Sequence, residues 1–264
     1  MDTIQSKDNS LIKEAKKLKE KRYRLENSEF IAEGFRFVVE ALQSDFEVKA
    51  VFISEKEKER WEKYKVASYT QKETRVYWVT DQILKILSST ENPQGIAAVV
   101  KIKKNHIVNS EGFYILVDKI QDPGNLGTII RTADAAGALG VIATKGTADV
   151  YNEKTLRSTM GSIFHIPIIE SIDMSTVKEL KDKGFKLIVS TLEESENFYN
   201  VKFTDRFILT VGNEGNGISD ELMALGDIRV KIPMPGNAES LNAGVAASIM
   251  MFEAVRQRLT TSSK

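Results

Sequence analysis

Phe207-Ile208-Leu209-Thr210-Val211-Gly212-Asn213-Glu214-Gly215-Asn216-Gly217-Ile218-Ser219 is the stretch on which the fold turns. Five apolar or β-branched residues run into a loop of glycines, asparagines and one carboxylate, as a strand buried on both faces of a parallel sheet would. Ser219 then stands where a helix cap belongs, and Asp220 and Glu221 fall in the first helical turn, where carboxylates favour the positive end of the helix dipole. The stretch predicts strand, glycine turn, helix. Working outward, similar apolar runs at 113–117, 141–143, 187–189 and 228–232 alternate with helical segments after Glu111. That alternation predicts an α/β domain with a parallel sheet covered on both faces, whose ligands bind beyond the carboxyl ends of the strands. Glycines in such a loop allow a close approach to a ligand. The loop is no P-loop, because no Lys-Ser/Thr pair closes it, and it lacks the G-x-G-x-x-G spacing of a dinucleotide site.

Two further segments carry chemistry. Asn125-Leu126-Gly127-Thr128-Ile129-Ile130-Arg131 follows the turn signal Asp122-Pro123-Gly124, so Asn125 is placed to cap a helix with Ile129, Ile130 and Ala133 on its buried face. Arg131 then falls in the second turn, either in an i, i+3 pair with Asp134 on a solvated face or beside the site. Near the C-terminus, Pro233-Met234-Pro235 precedes Ser240-Leu241-Asn242, and Asn242 opens a last helix whose residues Ala243, Gly244, Ala246, Ala247 and Ser248 are all small. A face of that kind lets another backbone come close.

These three segments, in this order, resemble the three motifs of the SpoU/TrmH family of RNA ribose 2′-O-methyltransferases. The resemblance implies a C-terminal SPOUT domain with a deep trefoil knot, S-adenosylmethionine as cofactor, and a homodimer whose second subunit completes the site. It implies catalytic roles for Arg131, Asn125, Glu214 and Asn242. Gly212, Ile232 and Leu241 would hold the cofactor, with Thr191, Leu192, Met234 and Ser240 lining the same pocket; on the residues alone, Ile232 and Leu241 read as ordinary core. S-adenosylmethionine suits a loop bearing Glu214, since it has no phosphate to repel and its sulfonium is a cation. Arginine binds phosphate through a planar fork, which fits Arg131 to grip a phosphodiester and stabilise a developing oxyanion. A guanidinium is hard to deprotonate, so a role as proton acceptor is disfavoured.

The 264 residues are long for one ordinary domain, and 42% apolar content is enough for a packed core. Cysteine is absent, which excludes disulfides, thiolate catalysis and Cys-based zinc sites. No stretch of about 18 apolar residues occurs, and the first residues have no apolar core of a signal peptide, so a cytoplasmic protein is expected. His106 and His165 have no metal-ligand spacing and read as structural, leaving no metal site. The formal net charge is zero, yet residues 1–105 carry 21 Lys and Arg against 17 Asp and Glu, and the rest 16 against 20. The basic end is the better candidate for a polyanion, although a solvated mixed surface fits as well.

Leu11, Ala15 and Leu18 share one helical face, with Lys16, Lys17, Lys21 and Arg22 elsewhere around it. A strand near Phe30, a turn at Gly34 and a second helix follow, with β-rich runs at 48–53 and 75–79. Residues 1–104 are therefore expected to form a small α/β domain and 112–264 the larger one. The segments 11–40 and 87–100 resemble the family's RNA substrate-binding domain, which is similar to a small ribosomal-protein fold. By that resemblance Lys16, Lys17, Lys21 and Arg22 would contact RNA. Arg157, in a family-like segment 152–162, is either a phosphate contact or a helix-surface residue. The resemblance implies ribosomal RNA as first substrate and tRNA as second. Two rivals are a non-catalytic RNA-binding or ribosome-assembly protein on the same fold, and a nucleotide-dependent oxidoreductase, which the missing glycine fingerprint disfavours.

Overall fold

Apolar strand segments and the helices between them build two sheets in this chain. The computed structural model describes residues 2–88, 90, 92–203 and 206–261. Two units result: Met1–Lys104 with Tyr151–His165, and Asn105–Val150 with Ile166–Lys264.

The first unit runs β1 (Asp2–Ile4), α1 (Ser10–Lys17), α2 (Lys21–Asn27), β2 (Glu29–Glu33), α3 (Phe35–Gln43), β3 (Val48–Ser54), α4 (Lys58–Lys63), α5 (Val66–Tyr69), β4 (Arg75–Val79), α6 (Asp81–Leu87) and β5 (Ile96–Lys101). Its five strands lie in the order β1-β4-β3-β5-β2, with β1, β4 and β3 parallel and β5 antiparallel to both neighbours. The buried face of α1 is Ile12 and Ala15, continued by Leu18, while Leu11 is only half-buried. These side chains pack with Ile83, Leu84 and Leu87 of α6 against Phe52, Tyr77 and Val99. Arg24 is buried and donates from Nη1 to the carbonyls of Leu18 and Lys19, both at 2.7 Å, so one cation satisfies the open carbonyls at the end of α1.

The sequence boundaries placed 151–165 in the larger domain, but this segment, with α8 (Glu153–Thr159), packs into the first unit. Aromatic rings are the physical reason. Tyr151 lies 4.9 Å from Phe30, and Phe164 meets Phe37 at 4.9 Å and Phe46 at 5.2 Å.

The second unit contains β6 (Gly112–Val117), α7 (Pro123–Ala135), β7 (Gly140–Thr144), β8 (Ile168–Ile172), α9 (Met174–Asp182), β9 (Lys186–Ser190), β10 (Glu196–Asn197), β11 (Arg206–Val211), α10 (Asp220–Leu225), β12 (Ile228–Lys231) and α11 (Ala243–Thr261). All seven strands are parallel, in the order β10-β12-β9-β11-β6-β7-β8. Every residue of β6 is buried, as is every residue of β7, as expected of central strands covered on both sides. The edge strands β8 and β10 were not read from the sequence; polar Glu170 and Ser171 interrupt the apolar run of β8.

Tyr114 of β6 holds the 105–111 segment to the sheet. Its hydroxyl donates to the Val108 carbonyl at 3.0 Å and accepts from the Val108 N–H at 2.8 Å. Burial raises the pKa of this phenol, partly opposed by the Val108 hydrogen bond. Tyr114→Phe is expected to lower the unfolding free energy in urea by about 1 kcal/mol, the usual net worth of such a bond.

Candidate active site

The order in which the chain lays down the strands of the second sheet reverses between β6 and β11. From β6 the chain moves outward through β7 and β8, then crosses to β9, β11 and β12 on the other side. β6 and β11 are paired along their full length, from Gly112↔Arg206 to Val117↔Val211. The loops leaving their carboxyl ends therefore diverge from one crevice, the place where open α/β sheets bind ligands.

Asp118 stands at the head of that crevice and is almost fully buried. Its N–H donates to Val211 O at 2.9 Å, its Oδ1 accepts from Thr144 Oγ1 at 2.8 Å, and its Oδ2 accepts from the Ser219 N–H at 2.7 Å. The carboxylate thus ties the end of β7 to the start of α10 while the backbone N–H of the same residue holds β11, and the bonds to the carboxylate offset the cost of burying it. Sequence reading missed it. The signal was an aspartate ending the unbroken apolar run 113–117. Ser219 does occupy the N-cap position of α10, but its side chain makes no capping bond; its backbone N–H is spent on Asp118.

The 212–219 loop is a small hydrogen-bonded hairpin. Asn213 and Gly217 exchange backbone bonds at 2.8 and 3.0 Å, and the Asn213 side chain accepts from the N–H groups of Gly215 and Asn216 while donating to Lys119 O at 2.8 Å. At Gly212 a Cβ would sit 2.2 Å from the Gly217 carbonyl carbon, so no other residue fits the loop as folded.

Glu214, Asn125 and Asn242 come together. Glu214 accepts from Gln121 N–H at 3.0 Å, from Asp122 N–H at 3.2 Å and from Asn125 Nδ2 at 2.9 Å. Asn125 Oδ1 in turn accepts from Asn242 Nδ2 at 2.8 Å. Asn242 Oδ1 caps α11, accepting from the N–H groups of Gly244 and Val245 at 3.0 and 3.2 Å. A continuous relay joins the three segments. The reading of Asn125 as the helix cap is corrected: Asp122 is the N-cap of α7, its Oδ1 accepting from Asn125 N–H at 2.9 Å, with Pro123 at the first helical position. Inside the first turn, the Asn125 side chain is left to link Glu214 and Asn242.

Arg131 is accordingly in the third turn of α7, not the second, about 12 Å along the axis from Pro123. It is exposed, as are Thr128 and Ala135 of the same helix. Helix α11 lies against α7, with Gly244 beside Thr128 and Ser248 Oγ 3.0 Å from Thr132 Oγ1. The small residues of α11 permit this approach.

The residues expected to hold a cofactor line the carboxyl ends of three neighbouring strands. Thr191 and Leu192 follow β9, Gly212 follows β11, and Ile232 and Met234 follow β12. Thr191 N–H donates to Val230 O at 2.9 Å, which fixes the first of these ends to the third. Leu192 is 61% exposed, an apolar side chain open to a ligand, whereas Ile232, Met234 and Leu241 are half-buried and Ser240 exposed. Backbone groups and apolar side chains make up this set, with Glu214 beyond it.

Lys16, Lys17, Lys21, Arg22 and Arg157 belong to the first unit and are all exposed. Lys16 and Lys17 end α1, Lys21 and Arg22 begin α2, and Lys17 lies 5.1 Å over the Tyr23 ring. His106 and His165 are exposed. Among the described residues, no group of three or more His, Asp or Glu could hold a metal ion, and no helix is long and apolar enough to cross a membrane.

Residues 112–252 match the model of the SpoU rRNA Methylase family, and residues 9–98 match an MRM3-like substrate binding domain. The chain belongs to the SpoU rRNA methylase family. The chain is 37% identical over 252 residues to the 23S rRNA (guanosine(2553)-2′-O)-methyltransferase RlmP of Bacillus subtilis, covering 96% of this chain and 98% of that one. A 23S rRNA (uridine(2479)-2′-O)-methyltransferase of Streptomyces viridochromogenes is 32% identical, over 88% of this chain and 84% of the other. Among solved structures, an AdoMet-bound rRNA methyltransferase from Sinorhizobium meliloti superposes with a TM-score of 0.86 at 32% identity, covering 96% and 97% of the two chains. The SpoU methyltransferase AviRb from Streptomyces viridochromogenes, in complex with AdoMet, gives 0.86 at 30% identity, covering 96% and 99%.

In this SpoU-family site the Glu214 carboxyl has an unusual balance. Burial acts to raise its pKa, but the bonds from Asn125, Gln121, its own N–H and Asp122 outweigh burial and hold it below the ordinary 4.5. A depressed carboxyl contributes its anchoring above the unfolded pKa and loses it as pH falls through the folded value. Carboxyl-carbon NMR is expected to show a Glu214 midpoint below 4.5, with the amides of Gln121 and Asp122 shifting in the same step.

Proposed function

We infer that this chain is an S-adenosylmethionine-dependent RNA methyltransferase that modifies a ribose 2′-hydroxyl of ribosomal RNA. The observation that carries the reading is the relay Glu214–Asn125–Asn242, which assembles the three family segments at the switch point of the sheet. Full-length likeness to relatives named as 23S rRNA 2′-O-methyltransferases supports ribosomal RNA over tRNA. The same reading places the protein in the cytoplasm, with its ribosomal substrate.

The strand ends after β9, β11 and β12 fit the cofactor. They offer backbone groups for an adenine edge, Leu192, Ile232, Met234 and Leu241 for its faces, Thr191 and Ser240 for polar contacts, and a close backbone approach at Gly212. Bound there, S-adenosylmethionine supplies an electrophilic methyl group on a sulfonium. The chain's own residues do the rest. Glu214 and Asn242 position Asn125 and the start of α7, and Arg131 grips the phosphodiester beside the acceptor ribose and stabilises charge on its oxygen. Lys16, Lys17, Lys21 and Arg22 on the 1–104 substrate-binding domain, with Arg157 of the same unit, hold the RNA backbone. A deep trefoil knot in the 112–264 methyltransferase domain accompanies this reading, supported by the TM-scores over nearly the whole chain.

A homodimer completes the site. On α11, Val245, Phe252 and Leu259 are 46%, 49% and 66% exposed and recur every seven residues, so they form one apolar stripe that a second copy would cover. Sedimentation at micromolar concentration should give twice the mass of one chain, and Phe252→Glu should shift it to monomer; a monomeric parent that methylates RNA would refute the dimer.

Arg131→Ala tests the catalytic reading. It should fold normally and bind S-adenosylhomocysteine within a few-fold of the parent. Single-turnover methyl transfer to ribosomal RNA should fall by about 10²–10³, the cost of removing one oxyanion-stabilising group. Arg131→Lys should recover little, because a point charge lacks the bidentate fork. A near-parental rate for the alanine variant returns Arg131 to a surface role.

A further inference from the structure

The first unit contains a cavity of about 500 Å3 formed wholly by its own residues, lined from the start of α3, from α4 and Tyr64, and from α8. That volume is within the range of about 300–1,000 Å3 found for small-ligand sites. One part of its lining is a set of stacked planes. The Arg60 guanidinium lies 4.2 Å over the Phe35 ring, and the Tyr64 ring stacks on Phe35 at 5.2 Å.

Glu33, Glu40 and Glu153 also line the cavity, with one Glu40 carboxylate oxygen buried against Gly161, and the exposed cations Arg36 and Arg157 flank them. Glu33 is held in place, its Oε1 accepting from Ser88 Oγ at 2.6 Å, Thr90 Oγ1 at 3.3 Å and Gln94 N–H at 3.4 Å. An unstacked nucleobase needs this combination: flat aromatic and guanidinium surfaces for its face, hydrogen-bond partners for its edge, and cations for the phosphates on either side. The carboxylates discriminate among bases because they only accept. Guanine presents two adjacent donors, N1–H and the N2 amino group, to a single carboxylate. Adenine and cytosine present one amino group each, and uracil one imino N–H.

We propose that this cavity receives an unstacked guanine from a single-stranded stretch of the RNA substrate, as a recognition base. The proposal rests on the RNA-methyltransferase reading and gives the substrate-binding unit a base-specific site.

The test uses the full chain and four labelled RNA pentamers, all uridine except for a central guanosine, adenosine, cytidine or uridine. The guanosine pentamer should bind at least about tenfold more tightly than the others, within the discrimination a bidentate base contact gives. Tyr64→Ala should weaken it by about tenfold, the scale of one lost base stack, and Tyr64→Phe should restore it. A Glu40→Gln, Glu153→Gln double variant should bind all four pentamers alike, while the fluorescence of Trp61 and Trp78, the two tryptophans of the chain, shows that the first unit of each variant is folded. Equal affinity of the parent for the four pentamers overturns the proposal, as does a guanosine preference that survives the substitutions. RNA affinity indifferent to Tyr64→Ala also overturns it and points to a peptide as occupant. Methyl transfer that persists without any guanosine preference sinks the cavity assignment alone; absence of all RNA binding and transfer sinks the enzyme reading beneath it.

Discussion

The Glu214 carboxylate is the interaction on which the site depends, because it reaches from the β11 loop both to the β6 loop and to the start of α7. Two of its bonds come from backbone N–H groups at the beginning of a helix, where negative charge is favoured. The third comes from Asn125, whose remaining oxygen fixes Asn242 and so the start of α11. Three segments far apart in sequence are placed by one chain of side-chain bonds. Below it, buried Asp118 does for the strand ends and α10 what Glu214 does for the loops. The crevice is therefore rigid before any ligand enters, and a reaction that relies on positioning needs that preorganisation.

Much of this was legible in the sequence. The unbroken apolar runs at 113–117 and 207–211 announced buried parallel strands, since only burial on both faces removes the alternation of polar residues. Gly212 stood out as the first residue of the loop, and its requirement is steric: the Gly217 backbone occupies the space of a Cβ. Asn125, Glu214 and Asn242 were singled out by likeness to the family, and their mutual bonds give that likeness a physical content. Their roles differ in detail from the sequence reading, because Asp122 takes the capping position and frees Asn125 for its neighbours.

What was not legible depends on contacts remote in sequence. Nothing local marks 151–165 as part of the first unit; Phe164 reads as an ordinary apolar residue until Phe37 and Phe46 are beside it. Nothing in the sequence separates Arg24 from the cations around it, yet it is buried against the carbonyls that end α1. Edge strand β8 escaped because polar residues break its run, and an edge strand has less need of an apolar face on both sides. The cavity of the first unit is assembled from segments 31–40, 60–64 and 153–160 with Leu87 and Gln94, which no motif connects.

The geometry also bears on how the proton of the acceptor hydroxyl is handled. A general base works best with a pKa near the working pH and a lone pair aimed at the proton. Glu214 fails both conditions: its oxygens already accept three bonds, and those bonds hold its pKa down. Asn125 and Asn242 are amides with no useful basicity, and each is occupied in the relay. The relay therefore acts by holding geometry. In the proposed function, electrostatic stabilisation is assigned to Arg131, whose exposed guanidinium stands outside the relay on α7. On the proposed role of Arg131, the hydroxyl is activated chiefly by lowering the energy of its developing oxyanion, and its proton passes to water as the oxygen takes the methyl group.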